Sequence, residues 1–84
     1  MLIQINNNWQ SLNALSGFAV GTALIVQSQS SSRVYVKQQA LQPSEGSIDA
    51  VTLESLDAWQ ITGGSPATWV RVGDSAGQLF IEVL

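Results

Sequence analysis

No cysteine and no histidine occur among the 84 residues. Without cysteine no disulfide can staple a small core, and the redox compartment leaves no trace in the sequence. With both residue types missing, the usual zinc and haem ligands, the thiol nucleophile and the imidazole base are all gone, and six carboxylates are the side chains left that suit a metal. Charge is scarce as well: Lys, Arg, Asp and Glu make up 11% of the chain, about half the share usual in a soluble domain. Three basic residues against six acidic ones give a net charge of −3, so there is no basic footprint for nucleic acid or anionic lipid. The longest apolar stretch, Phe18 to Val26, is nine residues broken by Gly21 and Thr22, far below the roughly 20 that span a bilayer. The opening MLIQINNN has no basic region ahead of an apolar one, and is expected to be the start of the mature chain rather than a signal peptide. These gaps lead to the expectation of no enzymatic activity, no cofactor or metal, no nucleic-acid partner and no membrane segment.

What is present is apolar and neutral-polar. Apolar residues are 45% of the chain, which excludes disorder driven by charge, and a third of the chain is Ser, Thr, Asn or Gln. A chain this short supports one core, so residues 1–84 are expected to form a single domain.

β-branched and aromatic residues recur in short alternating runs divided by Gly, Ser, Asn and Pro, the pattern of strands and turns. Leu2 to Ile5, Phe18 to Gln27, Arg33 to Gln38, Asp57 to Thr62, Thr68 to Val72 and Gln78 to Leu84 read as strands. Phe18 to Gln27 is the longest, and its near-continuous apolarity predicts a strand covered on both faces or one reaching into a neighbour. Ile48 to Leu56 fits no single pattern, QALQPSEGS over Gln39 to Ser47 reads as a surface excursion, and Gly63 to Pro66 as a hairpin-like turn. Trp9, Leu12 and Leu15 at intervals of three allow either one or two helical turns or a packed loop over Trp9 to Ser16. The sum is an all-β fold, a small antiparallel sandwich or barrel of about six to eight short strands. Alternation points Val34, Val36, Val70, Val72, Leu79, Ile81 and Val83 into one core.

Motifs of catalytic appearance reduce to backbone geometry. GDSAG, Gly73 to Gly77, looks like the nucleophile loop of trypsin-like proteases, but such a serine needs an imidazole and this chain has none. It reads as a turn in which Gly73 and Gly77 supply positive φ and Asp74 caps its own turn. Glu45, Asp49, Glu54 and Asp57 lie in or beside loops of a chain too small for the cleft a glycosidase carboxylate pair requires.

The aromatic residues say more. Tyr35, Trp69 and Phe80 occupy the polar phase of their strands, where alternation predicts solvent, and the three basic residues Arg33, Lys37 and Arg71 share that phase. Three coverings are open: the chain's own Trp9 to Ser16 segment or Gln39 to Ser47 loop, a partner protein, or a flat sugar-binding platform that could draw on Trp9, Trp59 or Trp69. The candidate protein interface is therefore Tyr35, Trp69, Arg71 and Phe80, with Arg33 and Lys37 around it.

One long pattern covers nearly the whole chain: NNNWQSLNALSGFAVGTALIVQSQSSSRVYV, then QALQPSEGS, then WVRVGDSAGQLFIEV. It resembles small tailed-bacteriophage proteins of the form W-x-x-L-N-A-L-[ST]-G-x-x-V-G-T-x-L-x-V-Q, a polar turn, V-Y-[VL], a Q-P loop and W-[VA]-R before a short last strand. The matching positions are Trp9, Leu12 to Leu15, Gly17, Val20 to Thr22, Leu24, Val26, Gln27, Val34 to Val36, Gln42, Pro43 and Trp69 to Arg71. The resemblance implies a virion structural protein, made in the bacterial host cytoplasm and carried on the particle, where it decorates or joins capsid or tail. Its partners on that reading are other virion proteins and copies of itself. The alternative from a different class is a small carbohydrate- or receptor-binding module.

Overall fold

The structure, a computed structural model, describes residues 1–45, 47 and 49–84. Eight strands and one short helix follow in the order β1 (Leu2–Asn6), β2 (Gln10–Ser11), α1 (Leu12–Ser16), β3 (Leu24–Ser28), β4 (Val34–Gln38), β5 (Val51–Leu53), β6 (Ala58–Ile61), β7 (Thr68–Val72) and β8 (Ala76–Val83). They form two antiparallel four-stranded sheets with strand orders β1-β8-β3-β6 and β2-β7-β4-β5. This is the small all-β sandwich that the alternating pattern predicts.

Period-2 alternation builds the core. Ile3, Ile5, Leu24, Val26, Ile61, Leu79 and Ile81 of the first sheet meet Val34, Val36, Leu53, Val70 and Val72 of the second, and Leu12 of α1 joins them. Each fully buried aliphatic side chain contributes roughly 1.5–3 kcal/mol, the main stabilising term where no disulfide exists. Six of the seven side chains predicted inward are fully buried, but Val83 is 53% exposed. It keeps the inward phase and pairs with Leu24, yet lies beyond the point where β1 begins, so nothing of β1 flanks it.

The long apolar run divides differently from expectation. Only Leu24–Ser28 is strand, with alternating rather than two-sided burial, and residues 17–23 form a connection. Phe18 packs on the core from that connection, and Gly21 turns it at φ 92° with its carbonyl accepting from the Gly64 N–H. The helical spacing shortens to five residues. Ser11 caps α1 by accepting from the Ala14 N–H, and Gly17 ends it in the left-handed region at φ 81°. Trp9 precedes the helix, and Leu15 faces out.

Several turns change sheet rather than fold a hairpin. Gly63 to Pro66 carries the chain from β6 in the first sheet to β7 in the second, so the hairpin expectation does not hold. Within GDSAG, Gly73 to Ser75 likewise connects β7 to β8, which takes in Ala76 and Gly77, and Asp74 does cap the turn, accepting from the Ser75 N–H at 2.8 Å. Of the two glycines in GDSAG only Gly77 is confined, and for another reason than expected. Neither Gly73 nor Gly77 has positive φ, but a Cβ on Gly77 would strike the Ser30 hydroxyl and stand 3.0 Å from Val72 Cγ2. The unassigned stretch Ile48 to Leu56 yields β5 over Val51–Leu53, with Ile48 itself outside the described residues.

Candidate functional site

The register of β7 on β4 assembles the outer face of the second sheet. Tyr35 stands opposite Arg71 and Lys37 opposite Trp69, each with its side chain away from the core. Arg33 extends the row, its carbonyl accepting from Gly73 N–H at 2.8 Å. The pairing of Gln10 with Val70 then sets Trp9 beside Arg71, whose guanidinium carbon stands 5.7 Å from the indole centroid, within cation–π range. Trp9 is 5% exposed yet stands outside the core cluster, on the outer side of the sheet.

The Gln39–Ser47 excursion folds back over part of this face. Trp69 donates its indole N–H to the Gln39 carbonyl at 2.9 Å, Gln42 donates its amide to the Trp9 carbonyl at 2.9 Å, and Lys37 donates to the Ser47 hydroxyl at 3.2 Å. Pro43 is buried in the process, and Gly46 lies outside the described residues. Trp69 and Lys37 are thus engaged by their own loop, one of the three coverings anticipated. Arg33 pairs with Glu54 at 2.9 Å across the neighbouring β5–β6 turn, both side chains largely exposed.

Between that loop and the β1–β2 corner lies a cleft of about 410 Å³, lined by Asn7, Asn8, Trp9, Gln42, Glu45 and Arg71 among others. Trp9 Nε1 and Arg71 Nε have no hydrogen-bond partner, and Arg71 has no carboxylate within 4 Å among the described residues. The cleft offers an uncompensated guanidinium, side-chain amides and one rim carboxylate. That chemistry suits a carbonyl or carboxylate presented by a partner.

Phe80 is elsewhere. In register with Leu2 and Gln27, it lies on the outer face of the first sheet, beside a groove of about 260 Å³ lined by Ile25, Gln27, Ala58 and Glu82. The six-residue surface expected from the sequence is therefore two surfaces on opposite sides of the sandwich. Five residues stay together and Phe80 leaves the set, because an outward phase is defined only relative to a strand's own sheet. Sequence reasoning missed Trp9 as the partner of Arg71, and with it Asn7, Asn8, Gln42 and Glu45. The signal was a tryptophan following NNN, a polar approach unsuited to a core residue.

The chain matches no protein-family model and no curated protein.

Proposed function

We propose that this chain is a bacteriophage virion structural protein that decorates or joins the capsid or tail, attached by protein contacts on the outer face of the second sheet. The observation that carries the attachment surface is Arg71, stacked on a buried Trp9, adjacent to Tyr35 and without a carboxylate partner among the described residues. Arginine, tryptophan and tyrosine are the residue types that dominate interface energetics when a partner desolvates them. Sparse charge elsewhere adds little repulsion between neighbours, which suits a module present in many copies, where avidity multiplies a small contact. The phage pattern from Trp9 to Arg71 supports the virion assignment itself.

A carbohydrate-binding module is the second reading. A stacking platform needs an open ring, whereas Trp9 lies beneath Arg71, Trp69 is tied to Gln39 and Trp59 packs against the core. The polar cleft beside Trp9 is the feature that favours it. Stoichiometry on purified particles separates the two: a virion component is present at fixed copy number and Arg71→Ala lowers it, while a sugar-binding module leaves particles and gives a specific glycan-array hit.

A further inference from the structure

The outermost strand of the first sheet is an unprotected edge. Met1 and Ile81 exchange both backbone hydrogen bonds at 2.7 Å. With the register Leu2↔Phe80 and Ile3↔Leu79, that exchange fixes the phase of the ladder: Met1, Ile3 and Ile5 bond to β8, and Leu2, Gln4 and Asn6 turn their N–H and C=O groups to the open side. Of those donors, the Asn6 N–H is taken by its own chain, donating to Gln10 Oε1 at 2.8 Å. The N–H and C=O groups of Leu2 and Gln4 have no partner among the described residues.

The usual protections of an edge are missing here. The other edge strands, β2, β5 and β6, span two, three and four residues, whereas β1 spans five. LIQIN contains no proline and no charge, and no charged side chain precedes Arg33 anywhere in the chain. Bulges, prolines and lysines are how folded proteins keep such edges single. Leu2 is 52% exposed and Met1 51%, beside Phe80 on the same sheet.

We infer that β1 pairs antiparallel with β1 of a second copy, joining two first sheets into one eight-stranded sheet across a two-fold axis. The free groups select the register. With Ile3 on the axis, Leu2 lies opposite Gln4 of the partner subunit and each such pair exchanges two hydrogen bonds, four in all. Centring on Gln4 instead sets Leu2 against Asn6 of the partner subunit, whose N–H is already used. Two chains of net charge −3 repel, but Leu2, Gln4, Gln78 and Phe80 on the outer face beside the edge are uncharged, so no like-charge pair forms at the seam. A second copy meets the requirement for an uncharged, self-complementary strand by construction. The pairing is a property of the isolated chain and does not depend on the virion assignment.

Amide exchange of the purified chain tests it without mutation. The Leu2 and Gln4 amides, unbonded in one copy, are expected to exchange about tenfold or more slowly at millimolar than at low-micromolar concentration, while Ile3 stays protected at both. Mass by light scattering should rise over the same range from 9.0 kDa to twice that value. Gln4→Pro removes one edge donor without touching the β8 ladder and should stay at the single-chain mass with a native circular dichroism spectrum, whereas Gln4→Val, which keeps the N–H, should still dimerise. A wild-type chain that keeps the single-chain mass at millimolar concentration overturns the inference. So does concentration-independent exchange at Leu2 and Gln4, a dimer that survives Gln4→Pro, or protection of those amides only when particle proteins are added.

Discussion

Arg71 lies over Trp9, its guanidinium carbon 5.7 Å from the ring centroid, and neither Arg71 Nε nor Trp9 Nε1 has a hydrogen-bond partner among the described residues. Buried donors without partners are uncommon in folded proteins, and here two of them belong to one stacked pair. The pair exists because β2, only two residues long, pins the chain against β7 just long enough to set Trp9 beside Arg71.

Arg71→Ala should lose that stacking, about 0.5–2 kcal/mol, and uncover an indole that is now buried. Arg71→Lys should retain part of the stability. Urea denaturation followed by tryptophan fluorescence measures both. A red-shifted native spectrum for Arg71→Ala, with Arg71→Lys closer to wild type, is the expected pattern; two unshifted spectra contradict the stacked arrangement.

The inward phase of β8 ends its structural contribution before the strand ends. Ile81→Ala removes a fully buried side chain and should cost roughly 2–5 kcal/mol, a large share of the 5–15 kcal/mol typical of a folded domain. Val83→Ala, two residues later in the same phase, should stay within about 0.5 kcal/mol. Thermal melting of the pair checks this. If the chain is the virion component proposed above, melting of Ile81→Ala should also be higher on particles than free, because neighbours that bind only the folded state stabilise it.

Gly77 is confined by close packing rather than by turn geometry. Gly77→Ala should destabilise by about 1–3 kcal/mol, and Ser30→Ala in the same chain should recover part of that loss by removing the hydroxyl in the way. Gly73→Ala, whose Cβ would meet Arg33 O and Tyr35 Cε2 at an ordinary 3.6 Å, should be nearly neutral. Equal losses at Gly73 and Gly77 in a denaturant titration would contradict this assignment.

The core was legible because burial on one face of a strand imposes a period of two, and Val34, Val36, Val70, Val72, Leu79 and Ile81 carry it without interruption. Phe18, Ala19 and Val20 carry the same apolarity in a connection, where Gly21 at φ 92° ends any strand, so composition extended β3 too far back. The site was legible only within a sheet. Tyr35, Lys37, Trp69 and Arg71 lie on adjacent strands, and period alone places them together once β4 and β7 pair. Phe80 shares their phase but belongs to the other sheet, and sheet membership is set by long-range pairing that no local pattern encodes. Trp9 was hidden for a related reason, since its spacing from Leu12 and Leu15 resembles a helix face although the helix begins only at Leu12.

A cryo-EM map of the native particle tests the central claim most directly. The account predicts density fitted by this sandwich at a symmetric position, with Tyr35 and Arg71 buried against another virion protein and an acceptor group of that protein in the cleft beside Trp9. A particle that lacks the chain, or one that carries it with the outer face of β4 and β7 open to solvent, contradicts the account.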